Sequence, residues 1–415
     1  MQDNKILKYI EEVLENMPNS WLNLTTHRLD IYDENLAKTE FLKQFTNLFN
    51  TNNSETFPLN ELPTAYDYIR LGHPLSCILE WTIAKLNNQK SENVISFSSQ
   101  TVPILAILRK NLLENKKTQI NYINELPPFF DANILRNVYG YNFEVHKVEH
   151  AADVTSFDGS TIFISEQEKI SSFKNYKNID FCLHTYINLG SILLVNGAKN
   201  KHYVSDIQHV RRRETIAMTP VNSLAALKSL LTATSILHPE MNYEANKISV
   251  LNSIKKINGT TTKPLVGSSG LSIQYAIMMG LIHDALEKHP GKAIKIIVPP
   301  NCYGGTNDQA RRVAACLEMV EVVDLPVDGD NNMVQSIDTV LTKIAKEDSV
   351  PYIIAEIPTN PRVEVPDLIK LQEVLSKERT TAGGVSAINP VFILDQTFCP
   401  NVHFLGENAI LSSVR

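Results

Sequence analysis

Ile357-Pro358-Thr359-Asn360-Pro361 closes one apolar run, and Val391-Phe392-Ile393-Leu394-Asp395-Gln396-Thr397-Phe398 makes the next. Both runs have the length and composition of buried strands, at 352–356 and 391–394, and both end in turn-forming residues. Prolines on either side of Asn360 fix the backbone there, so its amide is aimed in advance. Asp395 ends its strand as a single carboxylate. Together the two strand ends can hold a heteroaromatic ring, Asp395 pairing with a protonated ring nitrogen and Asn360 bonding an oxygen on the ring's edge. The plainer alternative is that Asp395 caps the turn through Gln396 and Thr397.

Outward from this point, short apolar runs alternate with amphipathic ones. Strands are expected at 294–298 and 320–324, and helices at 271–288, 308–316, 334–346 and 368–377. A first set of strands is expected at 94–97, 120–123, 161–164 and 192–195. Continuously apolar strands interleaved with helices predict an α/β fold with a parallel-rich, doubly wound sheet. A leading helix carries Ile6, Ile10, Val13, Leu14 and Met17 at helical spacing. Polar connectors are expected at 50–64, 255–264 and 376–386.

Two further pieces lie upstream. Gly267-Ser268-Ser269-Gly270-Leu271-Ser272 opens the helix that runs toward His289. Helix N-termini present unpaired N–H groups and partial positive charge, which suits a phosphate, with Gly270 admitting a close approach and Ser269 or Ser272 donating a hydroxyl. An ordinary serine N-cap explains the same residues. Tyr303-Gly304-Gly305-Thr306 follows the 294–298 strand, where a tyrosine can stack on a planar ligand; a buried loop aromatic is the alternative. The serine-glycine turn is not G-x-G-x-x-G, so a nucleotide-binding Rossmann enzyme is the weaker reading.

These four pieces, in this order, resemble the Cys/Met-metabolism family of pyridoxal-phosphate (PLP) enzymes, the cystathionine γ-synthase and γ-lyase group of fold-type I. Arg362-Val363-Glu364-Val365-Pro366-Asp367-Leu368 extends the likeness. The resemblance implies pyridoxal 5'-phosphate as cofactor, with Ser269, Gly270 and Leu271 at its phosphate, Tyr303 stacked on its ring and assisting proton transfer, and Asn360, Asp395 and Thr397 at the ring's edge. It also implies β- or γ-elimination or replacement on a cysteine-, homocysteine- or homoserine-derived amino acid, in a homodimer or homotetramer. A non-catalytic relative serving as subunit or scaffold is the alternative from another class.

An earlier segment resembles the same family more loosely. Tyr68-Ile69-Arg70-Leu71-Gly72-His73-Pro74 is similar to its Y-x-R-x-G-N-P run, with His73 in place of Asn. There the resemblance implies that Tyr68 and Arg70 reach a neighbouring subunit's cofactor phosphate; a structural ion pair is the alternative. Gln100 replaces glycine in Ser96-Phe97-Ser98-Ser99-Gln100, and Leu183-His184-Thr185-Tyr186 offers no lysine. The expected organisation is therefore a helical segment and connector over 1–64, a degenerate, shortened copy over 65–257, and a PLP-binding large-domain portion over 263–415. A long insertion within one domain is the competing account. The family's Schiff-base lysine should follow Asp395 on the next strand, yet the last lysine is Lys377, so 263–415 reads as an incomplete portion of a longer protein, with a naturally lysine-less relative as the alternative.

Composition narrows the rest. At 415 residues the chain can bury more than one core, and 43% hydrophobic with 20% charged residues is ordinary for a globular protein. A net charge of −6 argues against a nucleic-acid partner, and the one basic run, Arg211-Arg212-Arg213, is followed by Glu214. It reads as a solvated helix face or an internal ion-pair site. No apolar stretch approaches the roughly 20 residues of a membrane span. The N-terminus lacks a secretory pattern and the five cysteines lack C-x-x-C spacing, so a cytoplasmic location is expected.

Overall fold

The computed structural model of the chain describes residues 2–23, 34–66, 68–170, 173, 176–234, 242–259, 261–327, 331–359, 362–400 and 413–414. Two compact units divide it, Met1–Asn133 with Tyr141–Met241, and Ile134–Gly140 with Asn242–Arg415. No described helix is long and apolar enough to cross a membrane.

The first unit carries α1 (Gln2–Asn16), α2 (Glu34–Asn50), α3 (Thr56–Asn60), α4 (Pro74–Leu86) and α5 (Val102–Leu113), then α7 (Tyr203–Glu214) and α8 (Pro220–Thr232), whereas most of α6 (Ala132–Asn137) falls in the second unit. Its strands are β1 (Val94–Phe97), β2 (Thr118–Ile123), β3 (Phe143–Lys147), β4 (Ser160–Glu166), β5 (Phe181–Tyr186) and β6 (Gly190–Val195). They lie in the order β1-β6-β5-β4-β2-β3. The strands from β5 to β3 are parallel, whereas β6 runs antiparallel to both β5 and β1. The reversal follows from the short return at Ile187-Asn188-Leu189, with Asn188 at φ 60°. Gly190, at φ 119°, ends it; a Cβ there would sit 2.0 Å from the Phe97 carbonyl oxygen, so only glycine fits.

Helices α1, α2 and α3 contribute to this unit's core. Ile6, Ile10 and Val13 of α1 and Phe41 and Phe45 of α2 are buried with Leu75, Ile78 and Trp81 of α4. Beside them lies the ion-pair site that the basic run suggested. Arg211, fully buried, donates to Glu80 at 2.7 Å, and Lys38 reaches the other oxygen of the same carboxylate at 2.7 Å. Burial alone would raise the Glu80 carboxyl, but Lys38 and Arg211 outweigh it and hold it down at about 2.

The second unit holds α9 (Tyr243–Asn258), α10 (Gly270–Lys288), α11 (Gly304–Ala314), α12 (Met333–Lys346) and α13 (Leu368–Ser376). The connector expected over 255–264 is shorter than that, because α9 continues to Asn258 and stops at Gly259 in the left-handed region. Strands β7 (Ile294–Val298), β8 (Val320–Asp324), β9 (Val350–Glu356), β10 (Val391–Asp395) and β11 (Ser413–Val414) are all parallel, in the order β11-β10-β9-β7-β8.

Alternation along these strands makes the sheet doubly wound. Ile294, Ile296, Val298, Tyr352, Ile354 and Ile393 pack with Tyr275, Met278 and Ile282 of α10 and with Ala310 and Val313 of α11. Ile297, Ile353, Ala355, Phe392 and Leu394 point to the other face, against Ile337, Leu341 and Ile344 of α12 and Leu371 of α13. The fold class is α/β with parallel-rich sheets, as expected. The parallel part of the first sheet, β5-β4-β2-β3, repeats the order of β10-β9-β7-β8 in the second, with β4 pairing directly with β2 as β9 does with β7.

Candidate functional site

Parallel α/β sheets bind ligands beyond the carboxyl ends of their strands. In the second unit β9 ends in Glu356 and β10 in Asp395, and the two are in-register partners. The Ile357 N–H donates to the Asp395 carbonyl at 3.0 Å, extending the pairing past the strand ends. Glu356 shares its face with Tyr352 and Ile354, and Asp395 with Ile393. Both carboxylates therefore lie on the face covered by α10 and α11.

The helix starts on that face are tied to each other. Gln309 of α11 donates to the Leu271 carbonyl of α10 at 2.9 Å, Gln274 donates to Gln309 at 3.2 Å, and Thr306 donates to Gln274 at 3.2 Å. All three side chains are buried. One turn earlier, the Tyr303 N–H donates to Glu356 Oε1 at 2.8 Å. The start of α10, the Tyr303 turn and the end of β9 are thus linked by hydrogen bonds, and strand pairing carries the link to Asp395.

Asp395 is half-buried. Its Oδ1 accepts from the Thr397 N–H at 2.9 Å and from the Thr397 hydroxyl at 2.6 Å, the turn cap that the alternative reading described. That cap uses one oxygen and fixes the carboxylate plane. Among the described residues Oδ2 accepts no hydrogen bond.

Ser269 is the N-cap of α10. Its Oγ accepts from the Ser272 N–H at 3.1 Å, and Ser272 Oγ accepts from the Ser269 N–H at 2.8 Å while donating to the Ser269 carbonyl at 2.8 Å. The capping box commits the Ser272 hydrogen, so only Ser269 keeps a hydroxyl hydrogen to donate outward. Gly267 serves the cap, since a Cβ there would fall 2.7 Å from Ser272 Oγ. Gly270 is exposed and a Cβ there would meet nothing. Leu271 is buried and contributes its carbonyl to the Gln309 bond.

Tyr303 is the N-cap of α11 by its backbone alone; its carbonyl accepts from the Thr306 N–H at 2.9 Å, and its ring is about one-third exposed at 37%. Next to it, burial and the Glu356 carboxylate push the Cys302 thiol up to about 12, so it stays neutral. Asn360 and Pro361 lie outside the described residues, as do residues 401–412. On either side of the first pair, the Thr359 N–H donates to the Glu364 carbonyl at 2.9 Å and the Glu364 N–H to Thr359 Oγ1 at 3.0 Å.

Tyr68 and Arg70 lie in the first unit. The Arg70 guanidinium sits 4.3 Å from the centre of the Tyr68 ring, and that of Arg212 lies 5.1 Å from the same ring. Arg70 is buried, and its carbonyl accepts from the Ala217 N–H at 2.8 Å. His73 caps α4: its Nδ1 accepts from the Ser76 N–H at 3.3 Å, leaving Nε2–H to donate to the Met218 carbonyl at 2.7 Å. Burial lowers this imidazole to about 4, which keeps the neutral tautomer those two bonds require.

Sequence reasoning overlooked Glu356, Gln274 and Gln309. The only signal for Glu356 was its place at the end of an apolar strand; a glutamine inside an amphipathic helix gives none.

No protein-family model matches the chain, and no curated protein matches it. Solved structures that are similar in part include these three. A structure of metB from Corynebacterium glutamicum shares 15% identity over 49% of this chain and 60% of its own, with a TM-score of 0.29. Yeast cystathionine gamma-lyase shares 13% over 62% and 72%, with a TM-score of 0.34. Mouse CSAD in apo form shares 14% over 49% and 46%, with a TM-score of 0.29. The chain thus spans under two-thirds of the length of two of the three. At these TM-scores the likeness settles nothing about activity, and the residues of the second unit have to carry the functional reading.

Proposed function

We propose that the second unit binds pyridoxal 5'-phosphate at the carboxyl edge of its sheet, as part of an enzyme of sulfur amino-acid metabolism. The observation that carries this is Asp395, a half-buried carboxylate with one oxygen held by Thr397 and the other open on the α10 and α11 face. An open carboxylate oxygen is the charged acceptor a protonated ring nitrogen needs for its N–H. The open space over Gly270, at a helix N-terminus with Ser269 still able to donate, suits a phosphate group.

In this reading Asp395 Oδ2 keeps the proton on the ring nitrogen, the first turn of α10 holds the phosphate, and the Tyr303 ring covers the face of the cofactor. Asn360 takes the ring-edge oxygen, as the sequence suggests. PLP, when bound, supplies an electron sink for the negative charge left on an amino acid's α-carbon once its proton departs. The substrate is an amino acid with a leaving group at its β- or γ-carbon. The corresponding winding of the two sheets supports the first unit as a shortened relative of the second. Tyr68 and Arg70 would reach a neighbouring subunit's cofactor phosphate in an oligomer.

Titrating PLP into the chain, followed by tyrosine and tryptophan fluorescence and by melting temperature, tests this. Saturable quenching with a rise in melting temperature is expected. Asp395→Asn should weaken it by at least about tenfold, since a charge-assisted bond contributes about 1.5–3 kcal/mol. No response to PLP, or equal affinity in Asp395→Asn, would remove the proposal.

A further inference from the structure

The Tyr303 N–H is the first backbone donor of the turn that enters α11, and it has no acceptor inside that helix. It bonds instead to Glu356 Oε1 at 2.8 Å, across 53 residues of sequence. Glu356 is well placed as a fixed anchor. It is buried, at 7% exposure, and it ends β9, which has β7 on one side and β10 on the other. Its in-register neighbour is Asp395. The turn from Pro299 to Cys302, by contrast, holds neither helix nor strand.

We propose that Glu356 is a positioning residue that holds the Tyr303 turn in place relative to Asp395. Its effect on a ligand is exerted through Tyr303. The inference rests on the PLP reading only where it concerns that cofactor; the anchoring itself is a property of the unliganded unit. A bond from one strand end to the turn after another sets the height of the tyrosine ring over the sheet edge. The lateral setting comes from the neighbouring bond of Gln309 to Leu271. The neutral Cys302 thiol beside the same carboxylate adds no second negative charge to the turn.

The test compares Glu356→Gln, which keeps an acceptor at the same reach, with Glu356→Ala and Glu356→Met, which remove it. Glu356→Met fills the volume in case the alanine variant fails to fold. Amide hydrogen exchange over 303–306 and PLP affinity are measured on the whole chain. Glu356→Ala and Glu356→Met should raise exchange in that segment at least tenfold and weaken PLP about tenfold, while Glu356→Gln stays within about twofold of the parent in both. Tyr303→Ala should add little to the loss of affinity in the Glu356→Met background. Unchanged exchange in Glu356→Met, or a loss in Glu356→Gln equal to that in Glu356→Met, would overturn the proposal. If PLP binds no variant and not the parent, the cofactor reading falls while the exchange comparison still decides the anchoring.

Discussion

Gln309 donates its side-chain amide to the carbonyl of Leu271 at 2.9 Å, and so joins the second turn of α11 to the first turn of α10. The bond is buried and continues through Gln274 to the Thr306 hydroxyl. Two helices that could slide along their apolar contact are thereby fixed in height. Buried polar networks of this kind stabilise only when every member is satisfied.

Gln309→Leu keeps the side-chain size but leaves the Leu271 carbonyl with only its helical partner and takes the acceptor from the buried Gln274 side-chain amide. An unsatisfied buried group costs about 1–3 kcal/mol. For a unit of this size the melting temperature should fall by roughly 2–10 °C. Differential scanning calorimetry checks this, and a melting temperature unchanged within error would mean the network contributes nothing.

Gly270→Val should separate ligand binding from folding. A side chain there meets no protein atom, so the melting temperature should move by less than about 1 °C. PLP affinity should drop at least fivefold, because the branch occupies the approach to the first-turn N–H groups. Ser269→Ala should move both readouts: losing the cap costs about 1 kcal/mol whether or not ligand is present, and losing the outward hydroxyl weakens PLP as well.

Acid should destabilise the first unit in two stages. His73 has its folded value at about 4 against an ordinary 6.5, so the unfolded chain binds a proton first and stability falls between pH 6.5 and 4. Glu80 sits at about 2 against 4.5, so its contribution is complete above pH 4.5 and is lost as pH drops toward 2. Each window accounts for on the order of 3 kcal/mol. Urea denaturation at stepped pH should show His73→Asn, which retains a capping side chain, flattening the upper stage and leaving the lower one. An identical pH profile for that variant would assign the upper stage to another group.

Much of this architecture was legible in the sequence. The strands Val94–Phe97 and Ile294–Val298 fall where their apolar runs predict, because strands buried along their whole length are written as largely hydrophobic stretches. Strand β3 was missed, since Phe143-Glu144-Val145-His146-Lys147 buries only its first residue and carries no such run. Helix α11 begins at Gly304, four residues before the expected 308, because two glycines disguise a helical start that Tyr303 and Glu356 secure by tertiary contact. The candidate site was read as a set of residue types. The pairing of Glu356 with Asp395 could not be, because register between strands 39 residues apart is set by packing and not by local pattern.

In the first sheet β4 lies directly against β2, as β9 lies against β7 in the second, and the two strands end alike, in Glu166 and Glu356. A strand at that spot does more than widen a sheet. Its tip is a ledge from which a side chain can grip the loop beyond the neighbouring strand, as Glu356 grips the Tyr303 N–H. Both halves own the ledge. Whether a half can clasp a planar guest is therefore decided by the loop within its reach, and Gln100, beyond another strand, has no say in that grip.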